Sequence, residues 1–184
     1  MPDIEVRYGE SRLHVENNGH TVQYRYDPDH YLLVGGREYE LLQFHFHALS
    51  EHSVAGLHYP MEMHLVHRQR ENENRVLVLG IFVAAGQANA MLEDVRWGEL
   101  PDAAQGALMD ASVAYNAAEL VPGGPTYRYQ GSFTTPPCTE DVQWIVFEQP
   151  VSFSAEQIAT FSRLYPQNRR PTSALGARQL AYGD

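Results

Sequence analysis

Residues 43–47 read Gln43-Phe44-His45-Phe46-His47, and residues 61–66 read Met61-Glu62-Met63-His64-Leu65-Val66. Both alternate with period two, the pattern of strands whose successive side chains face opposite ways. Phe44 and Phe46 then face a core, while Gln43, His45 and His47 share the other face. Met61, Met63 and Leu65 form a second greasy face, with Glu62, His64 and Val66 behind it. Two imidazoles at alternate positions lie roughly 7 Å apart by strand rise. That spacing suits a metal with bonds of about 2 Å to nitrogen. If the second strand pairs beside the first, His64 completes a three-nitrogen site. The plain alternative is two half-exposed strands with polar outer faces. A carboxylate or amide on each histidine face favours metal, because a buried Glu or His is costly unless used.

Three neutral imidazoles leave one tetrahedral position for water, the arrangement of a catalytic zinc site. Gln43 and Glu62 are placed to accept the remaining ring N–H of a ligand histidine and fix its tautomer. Of the nine histidines, His14, His30 and His58 lie in polar or turn settings and read as surface residues. His52 and His67 sit beside the motif, and pattern alone assigns them neither to it nor away from it.

Around this centre the chain reads as short strands. Arg12–Glu16 and Thr21–Tyr26 alternate on either side of an Asn17-Asn18-Gly19 turn. Tyr31–Val34 ends at Gly35-Gly36, and Val76–Ala84 is a nearly continuous apolar run, as in a strand buried on both faces. Tyr127–Tyr129 and Val142–Phe147 complete the strands. Short helices are expected around Ala90–Val95 and Ala111–Glu119. Ser154-Ala155-Glu156-Gln157 has the form of a capping box, and Ile158, Phe161 and Leu164 follow at helical spacing before Pro166. The expected fold class is α+β and β-dominated: one domain, residues 1–184, on a central twisted, mostly antiparallel sheet with a few short peripheral helices.

Bulk properties agree with an ordinary globular domain. The 184 residues are 43% apolar and 20% charged, with a formal net charge of −10. That charge argues against nucleic acid and against anionic membrane surfaces as partners. No apolar run approaches the roughly 18 residues of a spanning helix. Met-Pro-Asp-Ile-Glu at the start has neither the basic nor the apolar region of a signal peptide. The single cysteine, Cys138, allows no intrachain disulfide.

Gln43–His52 followed by Glu62–His67 resembles the α-carbonic anhydrases, and the short connection from His47 to Ser50 resembles their bacterial branch. Asn17-Asn18-Gly19-His20, Val78–Phe82, Gly131–Cys138, Val142-Gln143-Trp144 and Asn168–Pro171 match in family order. The resemblance implies a zinc enzyme that hydrates carbon dioxide reversibly to bicarbonate and a proton, with Zn²⁺ on His45, His47 and His64. It implies that Thr134 accepts a hydrogen bond from zinc-bound hydroxide and donates one to Glu51, aiming the nucleophile. His20 matches the proton shuttle, a task suited to an imidazole with an ordinary pKa near 6.5. Val66, Val78, Phe133, Thr135, Val142 and Trp144 fall at the substrate pocket, and the Asn168 carbonyl at the back of His47. The competing reading is a catalytically silent binding module on the same fold; the intact histidine triad weighs against it. A third, another zinc hydrolase, lacks its H-E-x-x-H helix here.

Family members carry several dozen more residues ahead of the Asn-Asn-Gly-His turn, so the resemblance implies an N-terminally shortened chain. Cys138 matches a cysteine that bonds to that stretch, and is expected here to be unpaired, buried or bridged between two chains. Self-association as a homodimer is the corresponding expectation, and one monomeric mass under reducing and non-reducing conditions would overturn it. Family habit implies a periplasmic or secreted protein, while the absence of a signal peptide leaves the cytoplasm open.

Overall fold

The computed structural model describes residues 1–184. The strands before the centre are β1 (Ile4–Arg7), β2 (Ser11–Asn17), β3 (Val22–Arg25) and β4 (Tyr31–Val34). The centre is β5 (Arg37–His47), β6 (Met61–Gln69) and β7 (Asn72–Ala85). Then come helix α1 (Met91–Asp94), β8 (Ala107–Tyr115), β9 (Thr126–Ser132), β10 (Glu140–Phe153), helix α2 (Ala155–Leu164) and β11 (Ala181–Gly183). All eleven strands belong to one sheet, ordered β11-β9-β10-β7-β6-β5-β3-β2-β8, with β4 on β5 and β1 on β4. Every pairing is antiparallel except that of β10 with β7. The β-dominated, mostly antiparallel expectation therefore holds.

One sheet face carries the main core, which includes Tyr24, Phe44, Phe46, Met61, Met63, Leu65 and Phe161. The other carries a smaller cluster of Val66, Val78, Phe82, Val142, Trp144 and Val146. The centre strands are buried on both faces from Met61 to His67 and from Leu77 to Val83. A β-bulge between Leu41 and Gln43 on β5 decides which residues go where. Strict alternation would put Leu41 on the face of Gln43, His45 and His47. The extra residue reverses the parity, so Leu41 joins Phe44 and Phe46 in the core and the histidines keep the opposite face.

Helix α2 begins as its sequence dictates. Ser154 Oγ accepts the Gln157 N–H at 3.1 Å, and Gln157 Oε1 accepts the Ser154 N–H at 3.0 Å. Gln157 also bonds the backbone N–H and carbonyl of Asn89, tying the cap to the loop before α1. The helix ends at Leu164, before Pro166. The expected helix over Ala111–Glu119 is not formed. Residues 107–115 are strand β8, paired along β2, and only a 3₁₀ turn at Ala117–Leu120 follows. Alanine's helix propensity is worth tenths of a kcal/mol per residue, less than the ladder bonds that an unpaired β2 edge offers.

Candidate metal centre and active site

The antiparallel register of β5 and β6 sets His45 directly opposite His64, and His47 opposite Glu62. The three histidine rings converge, with centroids 5.1 Å apart for His45–His47, 5.3 Å for His45–His64 and 4.6 Å for His47–His64. One nitrogen from each lies within 4.8 Å of the other two.

The remaining ring nitrogens are already engaged. His45 Nδ1 lies 2.9 Å from Gln43 Oε1, His47 Nδ1 3.3 Å from the Asn168 carbonyl, and His64 Nε2 2.8 Å from Glu62 Oε1. Each acceptor takes an N–H, which leaves Nε2 of His45, Nε2 of His47 and Nδ1 of His64 as lone-pair donors. His47 Nε2 is buried with no hydrogen-bond partner. A buried imidazole nitrogen in that state is costly unless something is bound there, so the donor set fits a metal ion. Burial, then the neighbouring imidazoles, hold His45 well below the usual histidine range; burial and His64 lower His47 to about 4. Both rings are thus neutral, the state that ligates metal.

The support extends one layer further than the sequence suggested. His52 Nδ1 donates to Glu62 Oε1 at 2.6 Å, its backbone N–H to Glu62 Oε2 at 2.8 Å, and its Nε2 pairs with the Tyr129 hydroxyl at 2.7 Å. Burial pulls His52 down, but Glu62 outweighs it and His52 ends above its ordinary value. Burial pushes Glu62 up, yet His52 and His64 hold it well below the usual carboxylate range. Sequence reasoning had no signal for Tyr129, which is 77 residues from His52. His67 lies on the core face of β6 with Leu65, away from the triad, where the Tyr8 hydroxyl donates to its Nε2. His14, His30 and His58 are half-buried rather than fully on the surface. His30 Nδ1 accepts the N–H of Gly9, 21 residues earlier in the chain, and the His58 ring bonds the Ser50 carbonyl.

A cleft of about 320 Å³ opens onto His45 and His64. Val66, Val78, Phe133, Thr135 and Trp144 line it, together with Thr134 and His20. Val142 does not. It is 1% exposed and packs behind the wall, covered by the neighbours of its own cluster. His20 is exposed at the mouth, set there by the turn in which Gly19 takes φ 83° and Asn18 Oδ1 accepts the N–H groups of His20 and Thr21. Asn168 joins both sides of the site: its side chain donates to the His20 and Phe46 carbonyls and accepts the Ala48 N–H.

Glu51 is buried, with Oε1 accepting the Arg170 N–H at 2.6 Å and Oε2 3.9 Å from His64 Nδ1. Oε2 has no hydrogen-bond partner, so the Thr134–Glu51 bond implied by the resemblance is not made in this structure. Thr134 sits on a loop at the cleft wall, and Oε2 remains available to it. Cys138 is a free, partly buried thiol at a second opening beside His47 and Arg169.

Known proteins match this chain in sequence and fold. The model of the eukaryotic-type carbonic anhydrase family matches residues 2–181. A carbonic anhydrase of Nostoc sp. is 42% identical over 176 residues, covering 95% of this chain and 66% of that protein. One from Neisseria gonorrhoeae is 39% identical, covering 97% and 70%. The chain thus spans about two thirds of the length of these relatives. A hyperthermostable carbonic anhydrase from a hydrothermal vent chimney superposes with a TM-score of 0.91 at 38% identity, covering 100% of this chain and 82% of that one. The Thermovibrio ammonificans α-carbonic anhydrase, solved with the inhibitor sulfanilamide, gives 0.89 at 40%, covering 98% and 78%. The chain belongs to the eukaryotic-type carbonic anhydrase family, the α class.

Proposed function

We propose that this chain hydrates carbon dioxide reversibly, with Zn²⁺ held by His45 Nε2, His47 Nε2 and His64 Nδ1. The observation that carries the reading is the buried, unpartnered His47 Nε2 facing two further lone-pair nitrogens whose rings are fixed from behind. Zinc in such a three-imidazole site supplies Lewis acidity that brings a water ligand's pKa to around 7, carbonic anhydrase being the type case.

The chain's own residues do the rest. Gln43, Glu62 and the Asn168 carbonyl hold the three rings in one tautomer and orientation. Glu51 Oε2 offers a buried acceptor, and the Thr134 hydroxyl that donates there turns its lone pair to the reacting oxygen. Val66, Val78, Phe133 and Trp144 give an uncharged substrate an apolar wall, and the Thr134 N–H holds one of its oxygens. Carbon dioxide and water give bicarbonate and one proton, and His20, exposed at the mouth, carries that proton to buffer.

Stopped-flow hydration on a sample of measured zinc content tests the reading. Fast hydration with one zinc per chain is expected. Zinc bound without hydration would overturn it and favour a binding module on the same fold.

A further inference from the structure

Asn18 gives the His20 turn its shape, but other side chains fix where that turn stands against β5. Asn17, the last residue of β2, is buried and held from three sides. Its Nδ2 donates to the Pro101 carbonyl at 2.9 Å, and that bond settles which way the amide faces. Its Oδ1 then accepts two donors, the Gly19 N–H at 3.0 Å and the Tyr165 hydroxyl at 2.5 Å. Tyr165 lies 148 residues further on, capping the C-terminal end of α2, with its ring centroid 5.8 Å from that of the core residue Phe161.

The stretch from Tyr165 to Asn168 grips the turn a second time. Asn168 Nδ2 donates to the His20 carbonyl at 3.1 Å and to the Phe46 carbonyl at 3.2 Å, while the Asn168 carbonyl faces His47 Nδ1. Thr21 Oγ1 adds a bond of 2.7 Å to the same Phe46 carbonyl. The Asn168 contacts thus serve both the turn and the ring of a ligand histidine, whereas the Tyr165 hydroxyl bonds Asn17 and no part of the metal centre. The His20 ring makes no hydrogen bond of its own, so its reach depends on where the backbone of the turn is held. Proton transfer is sensitive to that placement, because donor and acceptor must stay within a hydrogen bond or a bridging water of each other.

We infer that Tyr165 is a positioning residue for proton transfer: through Asn17, its hydroxyl holds the turn that carries His20 at a fixed place relative to the metal centre. The inference rests on the proposed role of His20 as proton carrier.

Tyr165→Phe, which removes the hydroxyl and keeps the ring, tests it in a cycle with His20→Ala. Each chain is assayed at one zinc per chain in weak buffer. Proton transfer follows bicarbonate release, so it bears on kcat and not on kcat/KM. Tyr165→Phe should lower kcat at least about threefold, leave kcat/KM unchanged and recover on adding imidazole. In the His20→Ala chain the same change should have no further effect. Tyr115→Phe removes a hydroxyl that bonds the Arg25 carbonyl, at the Ser11 end of β2 and away from the turn, and should alter neither constant. Amide exchange in the metal-free chain gives a readout independent of turnover. There Tyr165→Phe should speed exchange at Gly19 at least about threefold and leave the Gly35-Gly36 turn unchanged. An unchanged kcat, an equal fall in kcat/KM, an equal loss in the His20→Ala chain, or unchanged exchange at Gly19 would overturn the inference while leaving the shuttle reading intact. If His20→Ala itself leaves kcat unchanged, the shuttle reading falls and this inference with it.

Discussion

His45 and His64 are direct cross-strand partners, and their rings stand at 90° with centroids 5.3 Å apart. Neither ring nitrogen facing the other is used by a protein hydrogen bond, because Gln43 and Glu62 take the opposite ones. Replacing either histidine by Ala should remove metal altogether, read as zinc per chain after dialysis. Gln43→Ala and Glu62→Ala should retain metal but weaken it roughly 10–100-fold in competition with a chelator.

Gly80 stands opposite His64 on β7, where a Cβ would lie 3.2 Å from Glu62 Oε1 and 3.2 Å from Val146 Cγ2. Gly80→Ala should therefore displace the Glu62 carboxylate from His64 and His52. We expect weaker metal affinity than wild type and a loss of about 1–3 kcal/mol on denaturation. Unchanged affinity would show that the strand yields without moving Glu62.

His67 predicts an acid dependence of stability. Burial lowers it to about 3 in the folded chain, against an ordinary 6.5, while the Leu77 carbonyl opposes that shift. Between these values the unfolded chain binds a proton that the folded chain does not. Stability contributed by His67 is full above about pH 6.5 and declines as pH falls toward about 3, by an order of a few kcal/mol. A glutamine side chain at this position could still accept from Tyr8 and donate to the Leu77 carbonyl without titrating. His67→Gln should therefore flatten urea midpoints between about pH 7 and pH 4.5.

His20→Ala should leave metal content and fold intact, since the ring makes no hydrogen bond and the turn is held by Asn18. Hydration at low buffer should fall at least about tenfold and recover on adding imidazole. Loss without recovery would give His20 another role.

Ser154→Ala removes one half of the cap on α2 and should cost about 1 kcal/mol of stability, with hydration unchanged. Gln157→Ala should cost more, because it also frees the Asn89 backbone groups.

Period-two alternation alone determined the faces of β5 and β6 near the site, and the pairing of the two strands then brought His64 to His45 and His47. The structure separates His67 from His64, which pattern alone had left open: His67 bonds Tyr8 and the Leu77 carbonyl on the opposite face. The capping box and the Asn-Gly turn were equally legible, since each is a contact within four residues. Alternation failed for Leu41, where a bulge changes parity, and alanine content misled for residues 107–115, where pairing with β2 prevails. The tertiary structure alone decided what depends on distant chain: Tyr129 behind His52, the Asn168 carbonyl behind His47, and the Tyr165 hydroxyl on Asn17. Strand register and loop closure set those distances, and neither leaves a periodic trace in sequence.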